Sequence, residues 1–119
     1  MSASRSPNVA LILDHPQRDL AGIVLTAFEL CQRGAVCHLV PHNLENREIW
    51  ALAPDFVLLN YFRNGNDALA RRLALTGIKF GVLDTEGTAW PNETAYKDIL
   101  WRDASLRELL KCVCMWGPR

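Results

Sequence analysis

Nowhere in the 119 residues does an apolar run approach the roughly 18–20 residues that a helix needs to span a bilayer. The polar opening, Met1 to Pro7, has no apolar h-region of the kind a secretory signal carries, so the expected setting is cytoplasmic. Charge of one sign is missing too, since 13 Lys+Arg stand against 13 Asp+Glu. Without a basic excess the chain lacks both the electrostatic term behind most nucleic-acid affinity and a polybasic patch for anionic lipid. No nucleic acid and no membrane span are expected.

Recognisable metal and nucleotide motifs are also absent. Cys31, Cys37, Cys112 and Cys114 contain no C-x-x-C, which argues against a zinc site or a redox pair and reads all four as small buried hydrophobes. His38 and His42 stand four residues apart, but that spacing gathers two ligands only on a helix face, and His38 lies inside a predicted strand with His42 beyond its exit, so no metal is expected and His38 reads as a core residue. The first strand is followed by DHPQRD, which is neither G-x-G-x-x-G nor G-x-x-x-x-G-K-S/T. Such a turn lacks the exposed amides that cradle pyrophosphate, and no cofactor is expected in this chain. There is no G-x-S-x-G elbow of an α/β-hydrolase, and the third strand ends at Asn60, where a phospho-receiver domain would need an aspartate.

What is present is a one-domain length with 50% hydrophobic residues, enough to bury a core without staples. Short apolar runs alternate with segments of 3.6-residue period, the signature of βαβ units around a buried parallel sheet. The runs Val9–Leu13, Val36–Val40, Phe56–Tyr61, Ile78–Leu83 and Cys112–Trp116 are predicted strands. Between the first two, Leu20, Ile23, Val24, Ala27, Phe28 and Cys31 recur at helical spacing, and Gly34 ends the helix. A second helix is predicted from an Asn43 cap to about Ala53, and a third from Asn66 and Asp67 to Gly77. Ser105-Leu106-Arg107-Glu108 fits a capping box for a short helix before the last strand. Thr85 to Ala104 shows no clear element.

Right-handed crossovers then give a Rossmann-like, three-layer α/β/α fold with a five-stranded parallel sheet of order 3-2-1-4-5. Residues 1–7 are expected to be a flexible N-terminal tail and residues 8–119 a single domain. The last strand is predicted to stop at Trp116, before Gly117, Pro118 and Arg119, where a doubly wound domain would continue into a covering helix. The expectation is that a second copy covers it, as a homodimer through the fifth strand, or that the chain is the opening half of a longer protein.

Ligands of open α/β sheets bind at the carboxyl ends of the strands, where the strand order reverses. For order 3-2-1-4-5 that point lies between the first and fourth strands. Their exits, Asp14-His15-Pro16-Gln17-Arg18-Asp19 and Asp84-Thr85-Glu86-Gly87, are the two most polar in the sequence. Asp14, Asp84 and Glu86, with His15 and Arg18 nearby, form a set able to deprotonate a hydroxyl and hold an anionic group. The competing reading is that Asp14 and Asp84 only cap following turns. Trp90 is a candidate to stack on a sugar.

LILDHPQRDLAG at the first strand, PDFVLLNY, the GVLDTEG exit and the terminal CMWGP together resemble the N-terminal domain of bacterial surface carbohydrate biosynthesis proteins. Those are glycosyltransferases of the GT-B type, with two Rossmann-like domains facing across a cleft. The resemblance covers Val9 to Pro118. It implies that this chain is the acceptor-side half, and that a nucleotide-sugar donor is held only by a second domain, so that the chain alone is inactive. Related capsule-polymerising enzymes carry an acidic pair followed by glycine, an acid of which is the general base. The matching stretch is Asp84-Thr85-Glu86-Gly87, where Thr85 interrupts the pair, so the resemblance assigns the base to Glu86 or Asp84 and gives Gly87 a close approach to the acceptor. The alternative is a stand-alone flavodoxin-like or cobalamin-binding-like module that binds a small ligand or dimerises.

Overall fold

The structure is a computed structural model and describes residues 4–84 and 91–114. Five strands, β1 (Asn8–Leu13), β2 (Val36–Pro41), β3 (Phe56–Leu59), β4 (Lys79–Leu83) and β5 (Leu110–Cys114), alternate with helices. The helices are α1 (Pro16–Gln32), α2 (Glu45–Leu52), α3 (Asp67–Leu75), α4 (Glu93–Ile99) and α5 (Ala104–Glu108), and a single 3-10 turn, His42–Leu44, leads into α2. The strands form one parallel sheet in the order β2-β1-β3-β4-β5. This is the Rossmann-like α/β class that the alternating pattern predicts.

The predicted order 3-2-1-4-5 is corrected, because β3 lies between β1 and β4 instead of beyond β2. Hydrophobic periodicity identifies elements, but not the direction in which each crossover steps. Order 3-2-1 needs the β2-to-β3 connection to continue the way β1-to-β2 began, whereas here it steps back past β1. The reversal of strand order therefore falls between β1 and β3.

The chain divides into two compact units, Met1–Val57 and Leu58–Arg119. In the first, β1 pairs with β2 in continuous register from Asn8 opposite Val36 to Leu13 opposite Pro41. Val9, Ala10, Leu11, Ile12, Ile23, Val40, Ile49 and Val57 are its buried apolar residues. Pro16 opens α1, where its missing amide costs nothing and its fixed φ suits the first turn. Gly34, at φ 96°, closes it: the amides of Gly34 and Ala35 donate back to the carbonyls of Cys31 and Leu30 in a Schellman arrangement. Of the apolar stripe on α1, Ile23 is buried, whereas Leu20, Val24, Phe28 and Cys31 are exposed. Periodicity reports which residues share a face, and says nothing of whether a wall covers that face. Ahead of β1, Arg5 pairs with Asp55 at 2.5 Å and the Pro7 carbonyl accepts from the Val36 amide.

In the second unit β4 pairs with β5, with a register shift between Phe80 and Val82. Leu58, Leu59, Leu69, Ala70, Leu73, Phe80, Val82, Trp101 and Leu106 are buried. α3 starts from Asn66 and ends, as expected, at Gly77, whose φ of 74° lets the Gly77 and Ile78 amides bond back to Ala74 and Leu73. α4 occupies part of the stretch that showed no element, and its cap is Asn92, whose Oδ1 accepts from the Ala95 amide at 2.9 Å. α5 is capped by Asp103, not Ser105, whose hydroxyl instead donates to Asp103 at 2.5 Å. A carboxylate is the stronger acceptor for amides at a helix start, so it takes the cap. The cysteines are corrected as well: Cys31, Cys112 and Cys114 are exposed and Cys37 is half-buried, all as free thiols. β5 is the last strand of the sheet, so Cys112 and Cys114 lie on an edge. Trp116 and the rest of 115–119 lie outside the described residues, and with them the expected strand end.

Ala53, which ends α2, sits at φ 45°, a left-handed conformation in which Cβ crowds the carbonyl. Glycine has no such penalty. Ala53→Gly is expected to stabilise the chain by about 0.5–1 kcal/mol, read as a higher urea midpoint at unchanged slope.

Candidate functional site

Within the second unit, the chain leaving β3 runs through Asn60-Tyr61-Phe62-Arg63-Asn64-Gly65-Asn66 before α3 begins. Two residues hold this loop. The Asn66 carboxamide donates to the Tyr61 carbonyl at 2.6 Å and accepts from the Arg63 amide at 3.1 Å. The Trp101 indole N–H is shared between the Arg63 carbonyl at 2.7 Å and Asn66 Oδ1 at 3.0 Å. Backbone bonds reinforce the arrangement, from the Trp101 amide to Phe62 and from the Asn64 amide to Ile99. Trp101 is 1% exposed and meets Phe62 and Phe80 edge to face, at centroid distances of 5.8 and 6.3 Å. The loop is held firmly, because the two side chains that anchor it, Asn66 and Trp101, are buried and bonded.

That rigidity sets Arg63. Its guanidinium lies 4.5 Å from the centre of the Tyr61 ring and 3.4 Å from Asp84 Oδ1. Asp84, the residue after β4, is 4% exposed. Its other oxygen, Oδ2, accepts a short hydrogen bond from the Tyr96 hydroxyl on α4. Burial and the Asp84 carboxylate push the Tyr96 phenol well above its ordinary pKa, so it stays a donor throughout the physiological range. The side chains described around Asp84 thus direct an O–H and a guanidinium N–H at it.

The first unit holds a separate polar group after β1. Asp14 is partly exposed and lies 4.0 Å from Arg18, and His15 is the exposed N-cap of α1. Arg18, expected to meet an anionic substrate group, instead grips Asp19 with two bonds of 2.5 and 2.8 Å. Asp19 is the buried residue that sequence reasoning passed over. It also accepts from the His15 amide at 3.2 Å, reaching back to the helix start as an acid of a capping box does. Asp14, His15 and Arg18 belong to the first unit and Asp84 to the second, and the exits of β1 and β4 are not neighbours in the observed strand order. Glu86, Gly87 and Trp90 lie outside the described residues.

After β2, His42 Nδ1 stands 3.2 Å from Glu45, a buried acid at the start of α2. Burial pushes the Glu45 carboxyl above the usual carboxylate range, with Asp14 adding to the rise and His42 opposing it. A raised folded-state pKa means that the group's favourable contribution is present at acid pH and is lost as pH rises through the raised value. Glu45→Gln is therefore expected to raise the melting temperature at neutral pH. The advantage should vanish below about pH 4, where both states hold the proton.

Among the described residues no group of His, Cys, Asp or Glu could hold a metal ion, and no helix is long and apolar enough to cross a membrane. Fold and site together define a Rossmann-like α/β chain with a buried, side-chain-bonded carboxylate at the carboxyl end of β4. No protein-family model, curated protein or solved structure matches the chain.

Proposed function

We propose that this chain is the acceptor-binding N-terminal domain of a GT-B glycosyltransferase of surface polysaccharide biosynthesis, and that the acceptor sugar is held at the carboxyl end of β4. The observation that carries the reading is Asp84, a buried carboxylate held from two sides at the carboxyl end of β4, the end of the strands on which open α/β sheets bind ligands, though one strand over from the point where the order reverses. A carboxylate accepts at both oxygens, which suits it to a sugar hydroxyl. With an oxygen given to each of Tyr96 and Arg63, Asp84 suits orientation of the acceptor, and proton removal falls to Glu86, two residues on. The activated hydroxyl would attack the anomeric carbon of a nucleotide-activated sugar held by a second domain. Since this chain has no phosphate-cradling glycine motif, it is expected to bind acceptor and to transfer nothing by itself.

The test is saturation-transfer NMR with neutral and anionic methyl pyranosides on the wild-type chain and on Asp84→Asn. Binding that Asp84→Asn abolishes supports the reading, and absence of binding by the wild type overturns it. The order β2-β1-β3-β4-β5 is that of flavodoxin-type domains, which favours a stand-alone small-ligand module as the second reading. Uptake of a flavin or corrinoid, visible by colour, would identify it.

A further inference from the structure

Asn60, the first residue after β3, is 2% exposed. Neither its carboxamide oxygen nor its nitrogen has a hydrogen-bond partner among the described residues. That is an unusual state: most buried polar side-chain atoms are bonded, and an orphan bears the full desolvation penalty. An amide carries two donors and an acceptor with two lone pairs, so the bonding capacity of the Asn60 carboxamide is unspent among the described residues. The neighbouring Asn66 spends its carboxamide on the loop and on Trp101. The loop therefore does not need Asn60 for its own shape.

Position gives the orphan a use. β3 and β4 are adjacent in the sheet, and Asn60 and Asp84 each directly follow their strand. Three residues beyond Asn60, Arg63 reaches Asp84, which ties the two exits together within the second unit. A buried carboxylate with its donors in place and a buried carboxamide with none thus close two adjacent parallel strands.

We infer that Asn60 is a ligand-contacting residue of the Asp84 site, and that the group it reads is a pair of adjacent hydroxyls on a pyranose. The inference rests on the acceptor-binding reading above and adds to it a residue and a substrate feature. The carboxamide oxygen accepts from one hydroxyl and the nitrogen donates to the oxygen of its neighbour, while Asp84 accepts from one of the pair. Carboxamide chemistry suits a vicinal diol because each hydroxyl is both donor and acceptor, and a carboxylate alone could only accept. A site built this way rejects deoxy analogues strongly, since a missing hydroxyl leaves a buried polar group unpaired again.

The test uses the whole chain labelled with nitrogen-15 and three probes, the methyl pyranosides of glucose, galactose and mannose. The Asn60 side-chain NH2 signals are identified by their loss in Asn60→Leu. The expected result is that at least one pyranoside shifts those signals in the wild type, and that Asn60→Leu weakens its binding tenfold or more. Asn60→Leu should also melt several degrees higher without ligand, because leucine fills a similar volume with nothing left unbonded. A pyranoside that binds through Asp84, leaves the Asn60 signals still and is held equally well by Asn60→Leu overturns this inference alone. No binding by any of the three overturns it together with the neutral-sugar form of the acceptor reading. A lower melting temperature in Asn60→Leu with unchanged binding overturns it in favour of a structural water on the carboxamide.

Discussion

Trp101→Ala is expected to cost about 3–5 kcal/mol, the largest loss of any single substitution considered for this chain. Two effects add. Removing a 1%-exposed indole leaves a void beside Phe62 and Phe80, and the surroundings of a large aromatic collapse only partly. The Arg63 carbonyl and Asn66 Oδ1 lose the N–H they share. Urea denaturation should show the midpoint falling steeply. Trp101→Phe separates the terms, since it keeps most of the ring contact and loses only the donor, at a cost of roughly 1–2 kcal/mol. Equal losses in the two variants would mean that the donor, not the packing, holds the loop.

Asp84→Ala is expected to be nearly as severe, about 3 kcal/mol, because it removes one member of a largely buried ion pair and leaves the Arg63 guanidinium and Tyr96 hydroxyl without the acceptor they face. Asp84→Asn retains an oxygen for Tyr96 but turns its NH2 donor toward Arg63, so a loss of roughly 1–2 kcal/mol is expected. Both variants should lose acceptor binding. Removal of the partners discriminates further: if Asp84 is held by Tyr96 and Arg63, the cost of Asp84→Ala should shrink in a Tyr96→Phe background, by the coupling energy that a double-mutant cycle measures. Full additivity would show that the two groups do not act on each other.

Much of this architecture is legible in the residues themselves. Gly34 and Gly77 are helix ends on paper and in space, both with positive φ and both with the paired amide bonds that such ends make. Asp84 stands out in the sequence because a charged residue closing an apolar run is uncommon. Its partners do not stand out, for Arg63 lies on the exit of another strand and Tyr96 on a helix within a stretch that carries no strong pattern. Arg18 shows the opposite case: a cation at a strand exit reads as an anion anchor, and its pairing with the adjacent Asp19 at 2.5 Å is seen only in the structure. Trp101 reads as one of several scattered tryptophans, and its importance emerges only when residues 62–64 are seen alongside residues 99–101.

The sequence by itself determined the class of fold, the five strands, both ends of α3 and the C-terminal ends of α1 and α2, because periodicity and glycine act over a few neighbouring residues. Only the tertiary structure decided that β3 sits between β1 and β4, that Asp84 meets Arg63 and Tyr96, and that Asn60 is buried with no carboxamide partner among the described residues. Those outcomes depend on which distant segments meet, and on how much water their meeting excludes. Local pattern carries neither quantity.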